Sequence, residues 1–310
     1  MHNQIYSTIA KVKTTVIKYP QFNRAYMEIE RIIAIKQQEN IAINMLCLGA
    51  AGTGKSTLKK EIANAYPTKL TTTHPIIPVL IINTPAIPSV KNVAESILIT
   101  LGDPLADKGS TITKTQRILT YLKLCNVQLI IFDELQHFID QGQKNTPLKL
   151  SDWLKSLVDE TNIPTILMGL ERSEQIIKVN EQLRRRFNQK IILTPFPLSV
   201  QNDYVVFAGV IKKIISLLNI HSSIEVKNMN TLKKIHYATN GIMDYMIKLF
   251  LSAYETCILN NSDLSLNALE TAFLNDIFLG CSPELNPFSV DFNSQPLNKV
   301  GMPFHVYTPA

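Results

Sequence analysis

The chain has 310 residues, enough for one large domain or two smaller ones. Apolar residues make up 45% and charged residues 18%, which is typical of a globular protein with a substantial core. The formal net charge of +6 favours an anionic partner without identifying it. No apolar run reaches the roughly 18 residues of a transmembrane helix, and residues 1–20 lack the apolar core of a signal peptide. We therefore expect a cytoplasmic protein with no membrane partner.

The four cysteines are scattered along the chain and form no C-x-x-C pair, so neither a disulfide framework nor a zinc site is expected. They are Cys47, Cys125, Cys257 and Cys281. Cys47 and Cys125 lie in or beside apolar runs, which predicts buried, reduced thiols.

Residues 1–20 are weakly patterned and are expected to form an N-terminal extension. Apolar residues at helical spacing then predict a helix over residues 22–38. Beyond it, short apolar runs predict five buried strands at residues 43–48, 76–82, 127–132, 164–168 and 190–193. Helical patterns lie between them at residues 56–66, 90–101, 113–124, 147–160 and 172–187. Pro78 indicates that the second strand lies at a sheet edge or begins there.

Strands that alternate with helices predict a mostly parallel five-stranded sheet with helices on both faces. After Pro195 and Pro197 the strand signals cease. Helical patterns then cover residues 200–219, 229–239, 241–259 and 265–278. The sequence thus predicts an α/β domain over residues 21–196 and a small all-helical domain over residues 197–280. The tail, residues 281–310, is rich in proline and asparagine and is expected to be flexible or to dock a partner.

The segment after the first predicted strand matches G-x-x-x-x-G-K-[ST] without a mismatch. Glycines in such a loop let backbone N–H groups turn toward phosphate oxygens, and the following helix directs its positive end at the same anion. Lys55 would reach the β- and γ-phosphates of ATP, and the Ser56 hydroxyl would bind Mg²⁺. The predicted ATP-binding residues are Gly49, Ala50, Ala51, Gly52, Thr53, Gly54, Lys55, Ser56 and Thr57.

The third predicted strand ends in Asp133 and Glu134. Acids at a strand end also occur in solvated turns, but a position downstream of a phosphate-binding loop favours a catalytic pair. Asp133 would hold Mg²⁺ directly or through water, and Glu134 would orient and polarise the attacking water. The sequence therefore predicts ATP hydrolysis.

Arg184, Arg185 and Arg186 follow a predicted helix and precede the fifth strand. Such a run is often a solvated basic face. In phosphoryl transfer, however, an arginine from a neighbouring subunit stabilises charge on the transferring group.

Four lysines flank loops between sheet elements and are either DNA-backbone contacts or ordinary surface residues: Lys108, Lys114, Lys144 and Lys149. His137 is a candidate for sensing the nucleotide or binding water, or a helix-surface residue.

Taken in order, these motifs resemble the TniB/TnsC family of AAA+ ATPases, which regulate DNA transposition. The resemblance spans roughly residues 19–278 and rests on YPQF, LCLGAAGTGKSTL, LIIFDELQHF, ILMGLERS, NEQLRRRF and ATNGIMDYMIKLFLSAYETCI. It implies that residues 49–57 form the Walker A loop and that Asp133 and Glu134 are the Walker B acids. It also implies that Arg185 or Arg186 is an arginine finger acting in trans, and Arg184 is a further candidate for that role.

By the same resemblance, the segment around Pro20 and Phe22 packs beside adenine, and the helical domain is a lid. The resemblance further implies ATP-dependent oligomers or filaments on duplex DNA, recruitment of a transposase, and input from a target-selection protein of the TniQ type. The alternative is an AAA+ helicase loader or remodelling ATPase. That class uses an aromatic-hydrophobic pore loop, for which the sequence shows no obvious candidate.

The chain departs from the family pattern at two positions. Many AAA+ lids carry an arginine three residues after a glycine, whereas Gly241 is followed there by Asp244. Lys248, one turn further on, is the candidate substitute. The end of the fourth strand, Leu-Met-Gly-Leu, offers no polar side chain as a sensor. We therefore expect slow hydrolysis that serves as a switch.

Overall fold

The structure is a computed structural model that describes residues 2–72, 74–85, 87–141 and 145–306. The first half of its elements runs α1 (His2–Thr14), α2 (Pro20–Glu39), β1 (Met45–Gly49), α3 (Lys55–Ala65), β2 (Val79–Asn83), α4 (Val90–Thr100), α5 (Thr111–Leu124), β3 (Leu129–Asp133) and α6 (His137–Asp140). The second half runs α7 (Thr146–Thr161), β4 (Thr165–Gly169), α8 (Gln175–Lys178), α9 (Glu181–Arg186), β5 (Gln189–Leu193), α10 (Gln201–Leu218), α11 (Met229–Thr239), α12 (Met243–Leu259) and α13 (Leu266–Ala272).

The five strands form one sheet in the order β2-β3-β4-β1-β5, and every pairing is parallel. Every residue of β1, β3 and β4 is buried, which requires cover on both faces of the sheet and explains their uninterrupted apolar sequences. The predicted five-stranded α/β architecture is therefore confirmed. β2 lies at one edge and begins directly after Pro78, as the proline indicated.

The parallel arrangement brings the carboxyl ends of the strands to one edge of the sheet. Gly49, Asp133 and Gly169 are the last residues of β1, β3 and β4, and the loops that follow them therefore emerge together. Ligands of open parallel sheets bind at this edge. Local sequence fixes the helices that follow: Ser89 and Ser110, for example, cap α4 and α5 by accepting hydrogen bonds from backbone N–H groups.

The helix predicted over residues 172–187 is wrong as one continuous element. The structure has a 3₁₀ turn at Glu171–Glu174, then α8, then α9. The break occurs because the side chain of Asn180 accepts a hydrogen bond of 3.0 Å from the Leu183 amide and so starts α9 as a separate helix.

The chain divides into two compact units by its internal contacts. The α/β unit comprises Gln21–Ala51 and Lys55–Leu193 and contains the sheet. The helical unit contains α1, the loop tip Gly52–Gly54 and the described chain from Thr194 onward. The weak pattern of residues 1–20 did not reveal α1.

The helical unit is built around α10 and α12, whose buried residues include Phe207, Ile211, Leu249 and Phe250. α1 contacts both helices, and the Tyr254 hydroxyl on α12 donates a hydrogen bond of 3.1 Å to the Thr8 hydroxyl. α1 is therefore part of this core and does not stand apart as an extension.

The expectation of a flexible tail is wrong for the described residues up to 306. Aromatic residues of the tail pack on helices α11 and α12: Phe292 lies 5.1 Å from Tyr237 and Phe304 lies 5.0 Å from Tyr245, measured between ring centroids. Lys234 also donates a hydrogen bond of 3.2 Å to the Phe288 carbonyl oxygen. The tail sequence has no helical period, but its interspersed phenylalanines bury enough apolar surface to order the segment.

Candidate nucleotide-binding and hydrolysis site

The phosphate-binding loop connects the buried end of β1 to the first turn of α3. Gly52 and Gly54 have φ values of 74° and 100°, a left-handed backbone that glycine adopts without strain. At Gly52 a side chain is also excluded by space, because a Cβ there would lie 2.8 Å from Ile242 Cγ2. The loop thus needs both glycines, and α3 presents its positive N-terminal end to any anion that the loop binds.

Lys55 is held inside this loop. Its ammonium group donates hydrogen bonds of 2.8 Å to the carbonyl oxygens of Gly49 and Ala50, and only 8% of the residue is exposed. Burial lowers the pKa of Lys55, while the neighbouring thiol of Cys47 and the carboxyl groups of Glu134 and Asp133 oppose that shift. The side chain is therefore positioned to transfer from carbonyl oxygens to phosphate oxygens.

The other residues of the loop differ in how far their side chains are exposed to solvent. Ser56 is exposed at the start of α3 and Thr57 is half-buried, so the Ser56 hydroxyl is accessible to a metal ion. Thr53 is buried, and its carbonyl oxygen accepts a hydrogen bond of 3.1 Å from the Tyr19 hydroxyl. Burial raises the pKa of Tyr19 to about 12, so that hydroxyl remains a donor at neutral pH.

The segment expected beside adenine is only partly accessible. Phe22 is buried, with 1% of its surface exposed, whereas Pro20 is exposed. Tyr19, which precedes Pro20, contacts the phosphate-binding loop through its hydrogen bond to Thr53.

Asp133 is buried at the end of β3 and is fixed by several hydrogen bonds. Its backbone carbonyl accepts bonds of 3.0 and 2.7 Å from the amide and hydroxyl of Thr84, and its carboxylate accepts one of 2.9 Å from the Glu134 amide. Lys59 forms an ion pair with the same carboxylate and also donates a bond of 3.1 Å to the Asn83 side chain. Sequence patterns did not identify Lys59 or Asn83, because neither belongs to a named motif.

The donor set fits Mg²⁺. This ion prefers hard oxygen ligands and usually combines one or two protein groups with phosphate oxygens and water. Asp133 supplies a carboxylate and Ser56 supplies a hydroxyl. Within the ranges that the structure describes, no cluster of three or more His, Cys, Asp or Glu side chains could bind a metal without such added ligands.

Glu134 adopts a left-handed backbone with φ of 59°, which is uncommon for a residue with a side chain. Two residues later, Gln136 donates a hydrogen bond from its side-chain amide to the Glu134 carboxylate. The oxygen of the same amide accepts a bond of 3.2 Å from the Leu170 backbone N–H, just beyond β4. Gln136 thus supplies a polar group at the end of β4, where the strand itself has none. His137 begins α6, and its backbone amide donates to the Glu134 carbonyl oxygen at 3.1 Å.

The three arginines at the end of α9 differ in their partners. Arg186 makes two hydrogen bonds to Asp159, of 2.5 and 2.7 Å, and a third to the Gln182 carbonyl. Arg185 is exposed and pairs with Glu181 one turn earlier. Arg184 is exposed, and its side chain makes no ion pair with any residue that the structure describes.

Of the four candidate lysines, Lys114 is wrong as a DNA contact. It is fully buried, and its ammonium group donates to the Ala106 carbonyl and, at 3.1 Å, to the Glu95 carboxylate. Lys108 is exposed beside Asp107, and Lys149 is exposed on α7. Lys144 lies outside the described residues.

Trp153 is half-buried against the core and donates a hydrogen bond of 3.0 Å to the Thr115 hydroxyl, in keeping with a packing role.

The lid position that carries arginine in many AAA+ proteins holds Asp244 beside the phosphate-binding loop. The Asp244 amide donates a hydrogen bond of 3.2 Å to the Gly52 carbonyl, and a Cβ at Gly52 would lie 2.9 Å from Asp244 Cβ. The candidate substitute, Lys248, instead donates a bond of 2.5 Å to the Asp276 carbonyl. Its ammonium group therefore links α12 to the turn after α13 and is not directed at the loop.

A buried parallel sheet with a G-x-x-x-x-G-K-S loop that begins at the end of β1 and an Asp-Glu pair that begins at the end of β3 defines a P-loop ATPase with the AAA+ fold. The family model described as "Bacterial TniB protein" matches residues 8–195, more than half of the chain. The chain therefore belongs to the TniB family, as its motifs indicated. No curated protein matches the sequence.

Solved structures support the fold. Cdc6p from Pyrobaculum aerophilum is 12% identical, with a TM-score of 0.59 over 89% of this chain and 73% of that protein. The ORC2 protein of Aeropyrum pernix, in ADPNP–ADP complexes, is 14% identical, with a TM-score of 0.62 over 88% and 72%. The ORC1 protein of Aeropyrum pernix, in complex with DNA, is 10% identical, with a TM-score of 0.58 over 83% and 65%.

A membrane-spanning element is not found in the described part of the chain, where no helix combines the length and apolar character that crossing a bilayer requires.

Proposed function

We propose that this chain is an ATP-dependent, DNA-binding, oligomeric regulator of DNA transposition that links target-site selection to transposase recruitment. The observation that carries the proposal is the TniB family match over residues 8–195, a span that includes the phosphate-binding loop, the Asp133–Glu134 pair and the arginine cluster. The proposed partners are duplex DNA, further copies of the chain, a transposase and a target-selection protein of the TniQ type. The proposed location is the cytoplasm, at the nucleoid when the protein is active.

In this proposal residues 49–57 bind the phosphates of ATP, and Lys55 contacts the β- and γ-phosphates. Ser56 and Asp133 would hold Mg²⁺, which would supply positive charge beside the phosphate oxygens. Glu134 orients a water molecule whose oxygen bonds to the γ-phosphorus as the bond to the β,γ-bridging oxygen breaks, giving ADP and phosphate. The ion pair between Lys59 and Asp133, and the lid carboxylate of Asp244, both act against tight metal and nucleotide binding. They support slow, switch-like hydrolysis.

The arginine finger in this proposal comes from a neighbouring copy. Arg186 is already engaged with Asp159, whereas Arg184 and Arg185 are exposed at the end of α9. These two side chains are therefore the better candidates for reaching a nucleotide in the next subunit. A composite site of this kind couples ATP binding to assembly, because the finger completes the site only when two subunits meet.

DNA binding is supported by the net charge of +6 and by the exposed Lys108 and Lys149. The related fold of the ORC1 protein was solved in complex with DNA. In an assembly that repeats along a duplex, a modest number of phosphate contacts per subunit sums to a large, salt-dependent affinity. Contacts to the backbone position a protein without reading sequence, which suits a regulator that acts at many sites.

The tail is proposed to contact the transposase. It packs on the lid helices through aromatic residues yet leaves Val290 and Val300 exposed by 97% and 84%. Changing both to Asp should abolish recruitment of transposase to DNA-bound protein while ATP binding is retained, as measured by co-sedimentation. Recruitment at the wild-type level would dismiss the tail as the contact.

The central test is assembly on DNA. Purified protein would be imaged by electron microscopy with duplex DNA and ATP, ADP or a slowly hydrolysed ATP analogue, alongside Lys55→Ala and the surface control Lys60→Ala. Ordered rings or filaments with ATP, absent with ADP and with Lys55→Ala but retained with Lys60→Ala, are expected. Failure to assemble on DNA at any ionic strength, combined with normal ATP binding, would favour the alternative of a helicase loader or remodelling ATPase.

A further inference from the structure

The side chain of Gln136 bridges two parts of the candidate site. It is buried, with 6% of its surface exposed, and its two polar atoms have different partners. The nitrogen donates to the Glu134 carboxylate, and the oxygen accepts 3.2 Å from the Leu170 amide. One amide therefore connects the acid at the end of β3 to the backbone at the end of β4.

Chemistry fixes the orientation of this amide. A carboxylate only accepts hydrogen bonds and a backbone N–H only donates them, so the nitrogen must face Glu134 and the oxygen must face Leu170. Rotating the amide by half a turn would set a carbonyl oxygen against a carboxylate and an NH₂ group against an N–H. The bridge consequently holds the Glu134 carboxylate in one position.

The residues Gly169 and Glu134, on either side of the bridge, have backbone features that suit it. Gly169 lacks a side chain, and a Cβ there would come within 2.9 Å of the Gln136 oxygen. Glu134 has the left-handed φ of 59°, a conformation that surrounding structure must impose on a non-glycine residue. The Asp133 carboxylate fixes the Glu134 backbone through a bond of 2.9 Å to its amide, and Gln136 fixes the side chain.

We propose that Gln136 is a positioning residue for ATP hydrolysis, acting through Glu134 by anchoring its carboxylate to the backbone of Leu170. The proposal rests on the assignment of Glu134 as the residue that orients water. A small displacement of a catalytic group lowers the rate of the chemical step more than it lowers substrate affinity. Loss of the bridge should therefore reduce the turnover of ATP more than the affinity for ATP. Nucleotide contacts are made by other residues and should be unaffected.

The main variant is Gln136→Met, which keeps the volume and removes both hydrogen bonds. Hydrolysis should fall about 10- to 100-fold at saturating ATP and DNA, while the Kd for a fluorescent ATP analogue changes less than about twofold. Gln175→Met, an exposed glutamine on α8, is the matched control and should behave as wild type. A fall in affinity equal to the fall in turnover would overturn the proposal.

A second variant removes only the anchor. Leu170 has a φ of −71°, which proline adopts, so Leu170→Pro deletes the donated N–H without demanding a new φ. It should lower turnover by a smaller factor than Gln136→Met, and Leu170→Ala serves as the control for the lost side chain. Equal rates for the proline and alanine variants would show that the Leu170 bond has no part in hydrolysis.

A double-mutant cycle separates this proposal from the assignment beneath it. Single-turnover hydrolysis of radiolabelled ATP would be measured for Glu134→Gln, Gln136→Met and the double variant. If Gln136 acts through Glu134, Gln136→Met should have little further effect once Glu134 is changed. A full further loss in the double variant would identify a general structural role. A wild-type rate for Glu134→Gln would instead overturn the assignment of Glu134 itself.

Discussion

Lys59 donates a hydrogen bond from its ammonium group to the carboxylate of Asp133, one helical turn beyond Lys55. The Lys59 and Asp133 side chains are only 14% and 3% exposed, so the pair is poorly screened by water. A positive charge that already occupies this carboxylate competes with Mg²⁺ for it. Metal binding in the site should therefore be weaker than the ligands alone would give.

The corresponding prediction concerns Lys59→Met. The half-saturating Mg²⁺ concentration for binding a fluorescent ATP analogue should fall severalfold, because the competing cation is removed. Without nucleotide, the free energy of unfolding should fall by on the order of 3 kcal/mol, since a buried carboxylate is left without its partner. Lys60→Met, an exposed neighbour, should change neither quantity. An unchanged half-saturating Mg²⁺ concentration would mean that Lys59 does not compete with the metal ion for the Asp133 carboxylate.

Asp244 places a carboxyl group beside the phosphate-binding loop, where phosphate charge would be repelled. Asp244→Asn should tighten ATP binding by about 3- to 10-fold at low salt, and the gain should shrink as ionic strength rises. Isothermal titration calorimetry at two salt concentrations would measure both effects. Glu255→Gln, an exposed acid on the same helix, is the control for the general loss of a negative charge. Equal gains for the two variants would assign the effect to net charge.

Lys114 should affect stability and leave DNA binding intact. Lys114→Ala removes a fully buried ammonium group and leaves the Ala106 carbonyl without its donor. The free energy of unfolding, measured by urea denaturation, should fall by about 2 kcal/mol. Lys108→Ala and Lys149→Ala should leave stability unchanged and each reduce the salt slope of DNA binding by about one. A reduced salt slope for folded Lys114→Ala would contradict the buried placement.

The sequence predicted the sheet well because its strands carry uninterrupted apolar runs that only a sheet covered on both faces can bury. It also singled out Lys55, Asp133 and Glu134 by residue type and spacing, and the structure places these three side chains near one another at the end of the buried strands. The residues of a phosphate-binding loop are close together in the sequence, so their pattern can be recognised without a structure.

The features that the sequence did not reveal depend on contacts between distant segments. Lys59 meets Asp133, and Gln136 meets Leu170, only after the strands have been placed side by side. Lys114 looked like a surface lysine because its buried carbonyl partner is not encoded by any local pattern. The order of the tail was hidden for a related reason: isolated phenylalanines without a helical period find their partners on α11 and α12.

The arginine cluster permits a test of catalysis between subunits. Changing both Arg184 and Arg185 to Ala should lower DNA-stimulated hydrolysis by about 10³-fold, the scale typical of a lost arginine finger. Arg186→Ala should instead retain hydrolysis and lower the free energy of unfolding by less than about 1 kcal/mol, because its pair with Asp159 is partly exposed. Both effects would be measured on protein bound to duplex DNA.

Mixing variants distinguishes a finger in trans from one that serves its own subunit. The double arginine variant keeps an intact ATP site, and Glu134→Gln keeps intact arginines. In a head-to-tail assembly of equal parts, about a quarter of the sites combine an intact Glu134 with arginines from the neighbour. Hydrolysis by the mixture should therefore recover to about that fraction of wild type. No recovery, in a mixture shown to co-assemble, would place the arginines in the same subunit as the nucleotide that they serve.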